Sequence, residues 1–221
     1  GLGDVYKRQS LLWEPNEYIN IMVYPFTDSQ ILGISTFPYS LKDFFLEGTQ
    51  QVSASWITLE NLSFPYCISI NSSYIYEQST DERINQNDAA ITLAHELGHY
   101  LGLRHVFSEG GTTSMCTDTD YCKDTPSYNR SEYEQWLNNL DKQNKYQLKD
   151  LAKRYSCEKG EYEAHNIMDY AYCFYNEITL EQRKRIRHIL NYSPLIPGPK
   201  ESRIDTRGVQ DRLNLPICIM K

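Results

Sequence analysis

Residues 95 to 105 read HELGHYLGLRH, and the rest of the chain is organised around them. They close a segment from Asn87 to Leu101 in which Ala90, Leu93, Ala94, Leu97 and Leu101 recur at three- and four-residue steps. That spacing predicts an amphipathic helix, with Asn87 or Asp88 as its N-cap. Residues four apart on a helix lie one above the other, so His95 and His99 present two imidazoles to one point, at the separation tetrahedral zinc requires. Glu96 stands about 100° round the helix, where it cannot ligate from the same face but can reach a water on the metal. It is the candidate general base. Were the helix to continue, His105 would be more than a turn from the metal. Gly102 stops it, because a residue tolerant of positive φ lets the chain turn sharply and swing His105 back as a third ligand. Three histidine ligands leave one position for water, which marks a catalytic zinc site; a structural site is closed by a fourth protein ligand. A bare H-E-x-x-H is only suggestive, but the spaced glycine and third histidine are independent requirements. The chain has 5 histidines, and three fall inside these eleven residues; His165 and His188 are read as ordinary, non-ligating residues.

The flanks carry other patterns. Residues 18 to 24 and 31 to 37 are rich in strand formers and bounded by Pro25, Asp28 and Pro38, which predicts short strands. Residues 66 to 76 alternate apolar and polar, as in a half-buried strand. Residues 107 to 130 are rich in Gly, Ser, Thr, Asp and Pro and read as irregular, and 131 to 155 as a peripheral insert of one or two amphipathic helices. Thr179 followed by Gln182 forms a capping box that opens a last helix through about Tyr192, stopped by Pro194, Pro197 and Pro199. No repeat or low-complexity tract is present, and residues 201 to 221 carry no clear assignment. The expected domain layout is a non-native or truncated segment at 1–17, a catalytic domain at 18–200 and a C-terminal tail at 201–221. The opening GLGDVYKRQ resembles an adapter-derived translation artefact of metagenomic assemblies, so it is given no function. Any export signal is expected upstream of Gly1.

Composition narrows the class. In 221 residues, 22 Lys+Arg against 29 Asp+Glu give a net charge of −7. With no clustered basic stripe, nucleic acid and anionic lipid are poor partners. No apolar run approaches the roughly 18 residues of a membrane-spanning helix. Length without a second hydrophobic pattern indicates one catalytic domain, expected to be a monomer. Six cysteines lie at 67, 116, 122, 157, 173 and 218 with no C-x-x-C pair, so disulfides of an exported protein are the better account. Cys116, Cys122, Cys157 and Cys173 bracket the candidate active site; of their three possible connectivities a Cys122–Cys157 bridge is favoured, and burial as small hydrophobes is the alternative.

The extended motif and a downstream methionine identify a resemblance to the metzincin metallopeptidases. NIMDY, residues 166 to 170, resembles their Met-turn, which implies that Met168 forms a hydrophobic floor beneath the ligands. In pappalysins and astacins the tyrosine two positions later reaches the zinc or the substrate oxyanion, and Tyr170 matches it. Within the metzincins the chain resembles pappalysin-like peptidases, including exported bacterial metalloproteinase lipoproteins, through YCKDTPSYNR (121–130), NIMDY and EITLEQRKRIRHILNYSPLIPGPK (177–200). The likeness covers roughly residues 18 to 200. It implies an α+β fold: a mixed twisted sheet, an active-site helix, the Met-turn and a C-terminal helix. Family members carry a further strand and a long backing helix before the first strand seen here, so the upper subdomain is expected to be incomplete. Relatives also bind Ca²⁺ between the zinc helix and the Met-turn, for which Asp118, Asp120 and Asp124 are candidate oxygen ligands; solvated loop carboxylates are the plain alternative.

The resemblance implies a zinc-dependent endopeptidase acting on protein or peptide substrates, exported as a periplasmic, lipoprotein or secreted protein. Glu96 would shuttle the proton and Tyr170 would share the oxyanion with zinc. The rival is an exported binding protein of the same fold that does not cleave its ligand, and Glu96 argues against it, since a non-catalytic relative has no use for that carboxylate.

Overall fold

The computed structural model describes residues 11–53, 65–108, 116, 120–158, 160–198 and 200, together with the backbone of a strand at 217–220. In chain order the strands are β1 (Ile21–Tyr24), β2 (Gly33–Thr36), β3 (Tyr39–Leu41), β4 (Gln50–Val52), β5 (Ile68–Asn71), β6 (Lys153–Ser156), β7 (Gly160–Glu163) and β8 (Ile217–Met220). The helices are α1 (Ala89–Tyr100), α2 (Arg130–Asn138), α3 (Leu148–Leu151) and α4 (Leu180–Tyr192). The class is α+β, as expected.

The main sheet has the order β1-β5-β2-β8. β1 runs parallel to β5, with Ile21 opposite Ile68, while β2 runs antiparallel to both β5 and β8. The segment at 66–76 departs from the half-buried strand that alternation predicts. Only Ile68–Asn71 is strand, and all four residues are buried. A central strand has both faces covered, so Ser69 and Asn71 go inside with the isoleucines. Asn71 then ends the strand: its amide donates to the Ile31 carbonyl at 2.9 Å and its side-chain oxygen accepts from the Ser73 amide at 3.1 Å, starting a 3-10 turn at Ser72–Tyr74.

α1 lies against β2 and β5 of this sheet, and Ile189 of α4 abuts the turn that ends it. Leu93, Leu97 and Leu101 pack into a core of Tyr39, Leu41, Tyr66, Ile68, Ile70, Tyr100 and Ile189. The predicted stripe is thus only partly buried, with Ala90 exposed, and the fully buried face of α1 carries Thr92, His95, Glu96, Gly98, His99 and Tyr100 instead. Its start differs in detail, since the Asp88 side chain makes no cap bond and instead accepts from the Ser79 amide at 2.7 Å. α4 opens with the expected capping box of Thr179 and Gln182. No helix among the described residues is long and apolar enough to cross a membrane.

Two expectations are corrected here. The segment 131–155 is not merely peripheral: after α2 and α3 it continues into β6, whose Arg154 is completely buried. The favoured Cys122–Cys157 bridge is also replaced, because the disulfide joins Cys116 to Cys157, with Cα atoms 6.0 Å apart. Cys122 turns inward, its amide donating to Asp120 Oδ1 at 3.0 Å, and burial followed by the Asp120 charge pushes its thiol up to about 12. Cys173 is also a buried free thiol, donating to the Ala164 and Asn166 carbonyls at 3.2 and 3.3 Å. Buried thiols with raised pKa are poor nucleophiles.

Peptide mapping of the non-reduced protein is expected to return a cross-linked pair containing Cys116 and Cys157, with Cys122 and Cys173 alkylated only after denaturation. The bridge closes a loop of sequence separation 41, for which chain-entropy arguments give about 4 kcal/mol; Cys157→Ser should lose a comparable amount in urea unfolding. A Cys122–Cys157 peptide would contradict the assignment.

Candidate active site

The site begins where α1 stops. The Leu103 amide donates to the Gly98 carbonyl and the Gly102 amide to the His99 carbonyl, both at 2.9 Å. These are the 6→1 and 5→2 bonds of a Schellman cap, and Gly102 has a φ of +87°. Arg185 of α4 holds this corner, donating from Nε and Nη2 to the Gly102 carbonyl at 3.3 and 3.1 Å and from Nη1 to the Glu47 carbonyl at 2.9 Å. A side chain at position 102 would strike Ile189 Cγ1 at 2.7 Å. The expected stop is therefore enforced by both backbone geometry and packing.

The turn brings His105 back onto the helix. Its Nε2 lies 3.0 Å from Nε2 of His99 and 3.2 Å from Nε2 of His95. The other nitrogens are committed: Nδ1 of His95 donates to the Ile167 carbonyl at 2.7 Å and Nδ1 of His99 to the Leu103 carbonyl at 2.9 Å. A carbonyl only accepts, so Nδ1 carries the proton on both rings and each Nε2 presents a lone pair. Burial lowers the pKa of His95 to about 4; burial and then the neighbouring histidines hold His99 well below the usual value, as do burial and His95 for His105. The Nε2 lone pairs of His95 and His99 thus converge with Nε2 of His105 across about 3 Å, an arrangement that a cation among the three nitrogens would satisfy. This donor set fits Zn²⁺, and the backbone carbonyls orient the ligand rings from behind. Among the described residues these histidines are the one group of three or more metal-ligating side chains that converge.

Glu96 is fully buried beside them. β2 passes against its carboxyl so closely that a Cβ on Gly33 would lie 2.6 Å from Glu96 Cγ and 2.8 Å from Oε1. On the other side, Met168 is fully buried under the motif, and a Cβ on Gly98 would meet its sulfur at 2.3 Å. The Tyr170 ring meets that of His105 edge-to-face with centroids 4.5 Å apart, and lies tilted to that of His95 at 5.4 Å. Tyr170 is followed by Ala171 and Tyr172, both in the left-handed region with φ of 42° and 31°.

This turn is fixed from below by an ion pair. Arg154 and Asp169 are both buried, with Nε and Oδ2 3.5 Å apart. Asp169 Oδ1 accepts from the Tyr128 hydroxyl at 2.5 Å and from the Tyr170 amide at 2.7 Å. Arg154 Nη2 donates to the carbonyls of Tyr170 and Ala171 at 3.2 and 3.1 Å, and the guanidinium lies 3.7 Å from the centre of the Tyr133 ring. Burial pushes the Asp169 carboxyl up, and Arg154 and the Tyr128 hydroxyl pull it back. From α4, Gln182 exchanges hydrogen bonds with Asn166 at 2.8 and 3.1 Å, tying the turn to that helix's cap.

The structure brings together His95, His99, His105, Glu96, Met168 and Tyr170, and places Gly102 at the corner. The calcium candidates fare differently. Asp118 lies outside the described residues. Asp120 accepts from Thr125 Oγ1 at 2.7 Å and from the Cys122 amide, while Asp124 accepts from Thr179 Oγ1 at 2.8 Å and from the Glu181 amide at 2.9 Å. Both carboxylates are engaged in protein hydrogen bonds, so neither adds support for a calcium site. His165 pairs with Asn176 and His188 with the Phe44 carbonyl, away from the cluster. Gly33, Gly98, Arg154 and Arg185 escaped the sequence reading. Gly98 was within reach, because it sits inside the motif one turn from its cap.

A family model for the M43 peptidases, described as pregnancy-associated plasma protein-A, matches residues 48–191. The chain belongs to that family. Relatives of the M43 domain include proteins named extracellular metalloprotease from Arthroderma otae, 32% identical over 171 residues, and from Arthroderma benhamiae, 37% identical over 108 residues. The alignments cover 76% and 48% of this chain but 49% and 32% of those proteins, so the chain spans half or less of the relatives' length. Among solved structures, mature mirolysin of Tannerella forsythia in complex with a cleaved peptide matches with a TM-score of 0.43 and 20% identity, over 80% of this chain and 53% of that one.

Two substitutions probe this scaffold. Arg154→Met strands the buried Asp169 charge and should cost about 3–5 kcal/mol in urea unfolding; a loss below about 1 kcal/mol would show that the ion pair does not hold the turn. Gly33→Ala should displace the Glu96 carboxyl and lower kcat/KM on a reporter peptide by tenfold or more at unchanged zinc content. Unchanged activity would show that the contact is not limiting.

Proposed function

We propose that this M43 domain is a zinc-dependent endopeptidase, with the metal held by Nε2 of His95, His99 and His105. The supporting observation is the convergence of three imidazoles, two of them with Nδ1 fixed by backbone carbonyls, with the buried carboxylate of Glu96 one residue along the helix. Zn²⁺ bound there supplies Lewis acidity, which polarises a peptide carbonyl and lowers the pKa of a water to near 7.

Glu96 takes the proton of the attacking water and returns it to the leaving nitrogen, so one residue serves as base and then as acid. Its burial against β2 limits it to a narrow set of positions, so little reorganisation accompanies the transfer. Tyr170, held by the ring of His105 and by the Asp169–Arg154 pair behind it, directs its hydroxyl to the oxyanion of the tetrahedral intermediate. Met168 makes no proton transfer; it fills the space under the ligand helix that Gly98 leaves. The substrates are proteins or peptides, and the extracellular relatives support export of the whole protein. A monomer needs no second copy to complete this site.

Glu96→Gln should retain one zinc per chain by elemental analysis while kcat/KM on a fluorogenic peptide falls by about 10²–10⁴. Tyr170→Phe should lower kcat by about 10² with little change in KM, and a chelator should abolish turnover in the parent protein. Near-normal turnover in Glu96→Gln would remove the assigned base, and activity that survives complete metal removal would remove the metal.

A further inference from the structure

β2 is where the sheet meets the site, since Gly33 abuts Glu96. One side of β2 is taken by β5. Its other side is not open: the C-terminal strand β8 runs along it, antiparallel, with Gly33 opposite Met220, Ile34 opposite Ile219, Ser35 opposite Cys218 and Thr36 opposite Ile217. Paired strands lie about 4.8 Å apart, so the backbone at position 220 passes within one strand spacing of the glycine that touches the candidate base. The backbone of β8 also runs close to that of α1, the helix that carries His95, Glu96 and His99.

We infer that β8 is a strand bound in cis on the β2 edge that an extended peptide needs to reach Glu96, so residues 217–220 of the same chain compete with substrate. This rests on the endopeptidase reading. A strand edge offers alternating N–H and C=O groups to any extended peptide, giving affinity through the main chain and little discrimination by sequence. Residues 217–220 satisfy those groups on β2, and a second strand cannot use them at the same time. Four paired residues make a small contact that can exchange. The 16 residues between Lys200 and Ile217 span at most roughly 55 Å when extended. A tether of that length keeps the strand at an effective concentration on the order of millimolar. A competitor of this kind raises the apparent KM for peptides and leaves kcat alone.

The test compares three zinc-loaded proteins: the full chain, a chain ending at Pro216, and the full-length double variant Cys218→Pro/Ile219→Pro. Successive amides of a strand point to opposite sides, so the double variant removes one that faces β2 whichever register holds. Two readouts are taken: KM and kcat on a fluorogenic peptide of about eight residues, and amide hydrogen exchange across Gly33–Thr36. Both shortened and proline-bearing proteins should show KM lowered about fivefold or more at unchanged kcat, with faster exchange at Gly33–Thr36. A synthetic peptide of residues 214–221 added to the truncated protein should inhibit competitively and restore slow exchange. Equal KM and equal exchange in all three proteins would overturn the inference. If none of the three cleaves any peptide with zinc bound, the endopeptidase reading fails, and exchange at Gly33–Thr36 still decides whether β8 occupies the edge.

Discussion

The structure turns on a helix that has to end at one residue. Two imidazoles four positions apart face the same point on any helix, but the third arrives only if the chain reverses within the turn after Tyr100. The reversal needs a left-handed residue, here Gly102 at φ +87°, and a place to put its carbonyl, which Arg185 of α4 supplies. Helix termination, inter-helix packing and metal geometry are therefore one constraint. Ile189 sits where a side chain at 102 would go, so the core of α4 leaves room for glycine alone.

Around that corner, close approaches and buried polar groups hold the remaining parts. Gly98 admits the Met168 sulfur and Gly33 admits the Glu96 carboxyl. A buried arginine beneath the Met-turn costs desolvation energy, and Asp169, the backbone carbonyls and two tyrosine rings offset it. The result is a Tyr170 whose backbone is tied at both its amide and its carbonyl. Preorganisation of this kind lets a hydroxyl act on a developing charge without a search for position.

Much of this was legible in the chain. HELGHYLGLRH offers candidate ligands, a candidate base and a helix stop because each follows from local geometry: a 3.6-residue turn and the tolerance of glycine for positive φ. The Thr179–Gln182 capping box was readable for the same reason. What was not legible depends on distant partners. Nothing in SEYEQWLNNLDKQNKYQLKDLAKRY distinguishes Arg154 from its charged neighbours; only the fold places it under Asp169. Cys116 pairs with Cys157 because Cys122 is turned inward beside Asp120, a loop conformation with no sequence signature. The strand at Ile217–Met220 is too short to declare itself in the sequence, and only the fold pairs it with β2.

In the proposed site three imidazoles and no other side chain hold one metal ion. X-ray absorption at the zinc edge of the purified, zinc-loaded protein tests it directly. Three imidazole nitrogens at about 2.0–2.1 Å with a light oxygen ligand are expected, falling to two imidazoles in His105→Ala. A sulfur scatterer near about 2.3 Å, or an imidazole count unchanged by that substitution, would contradict it.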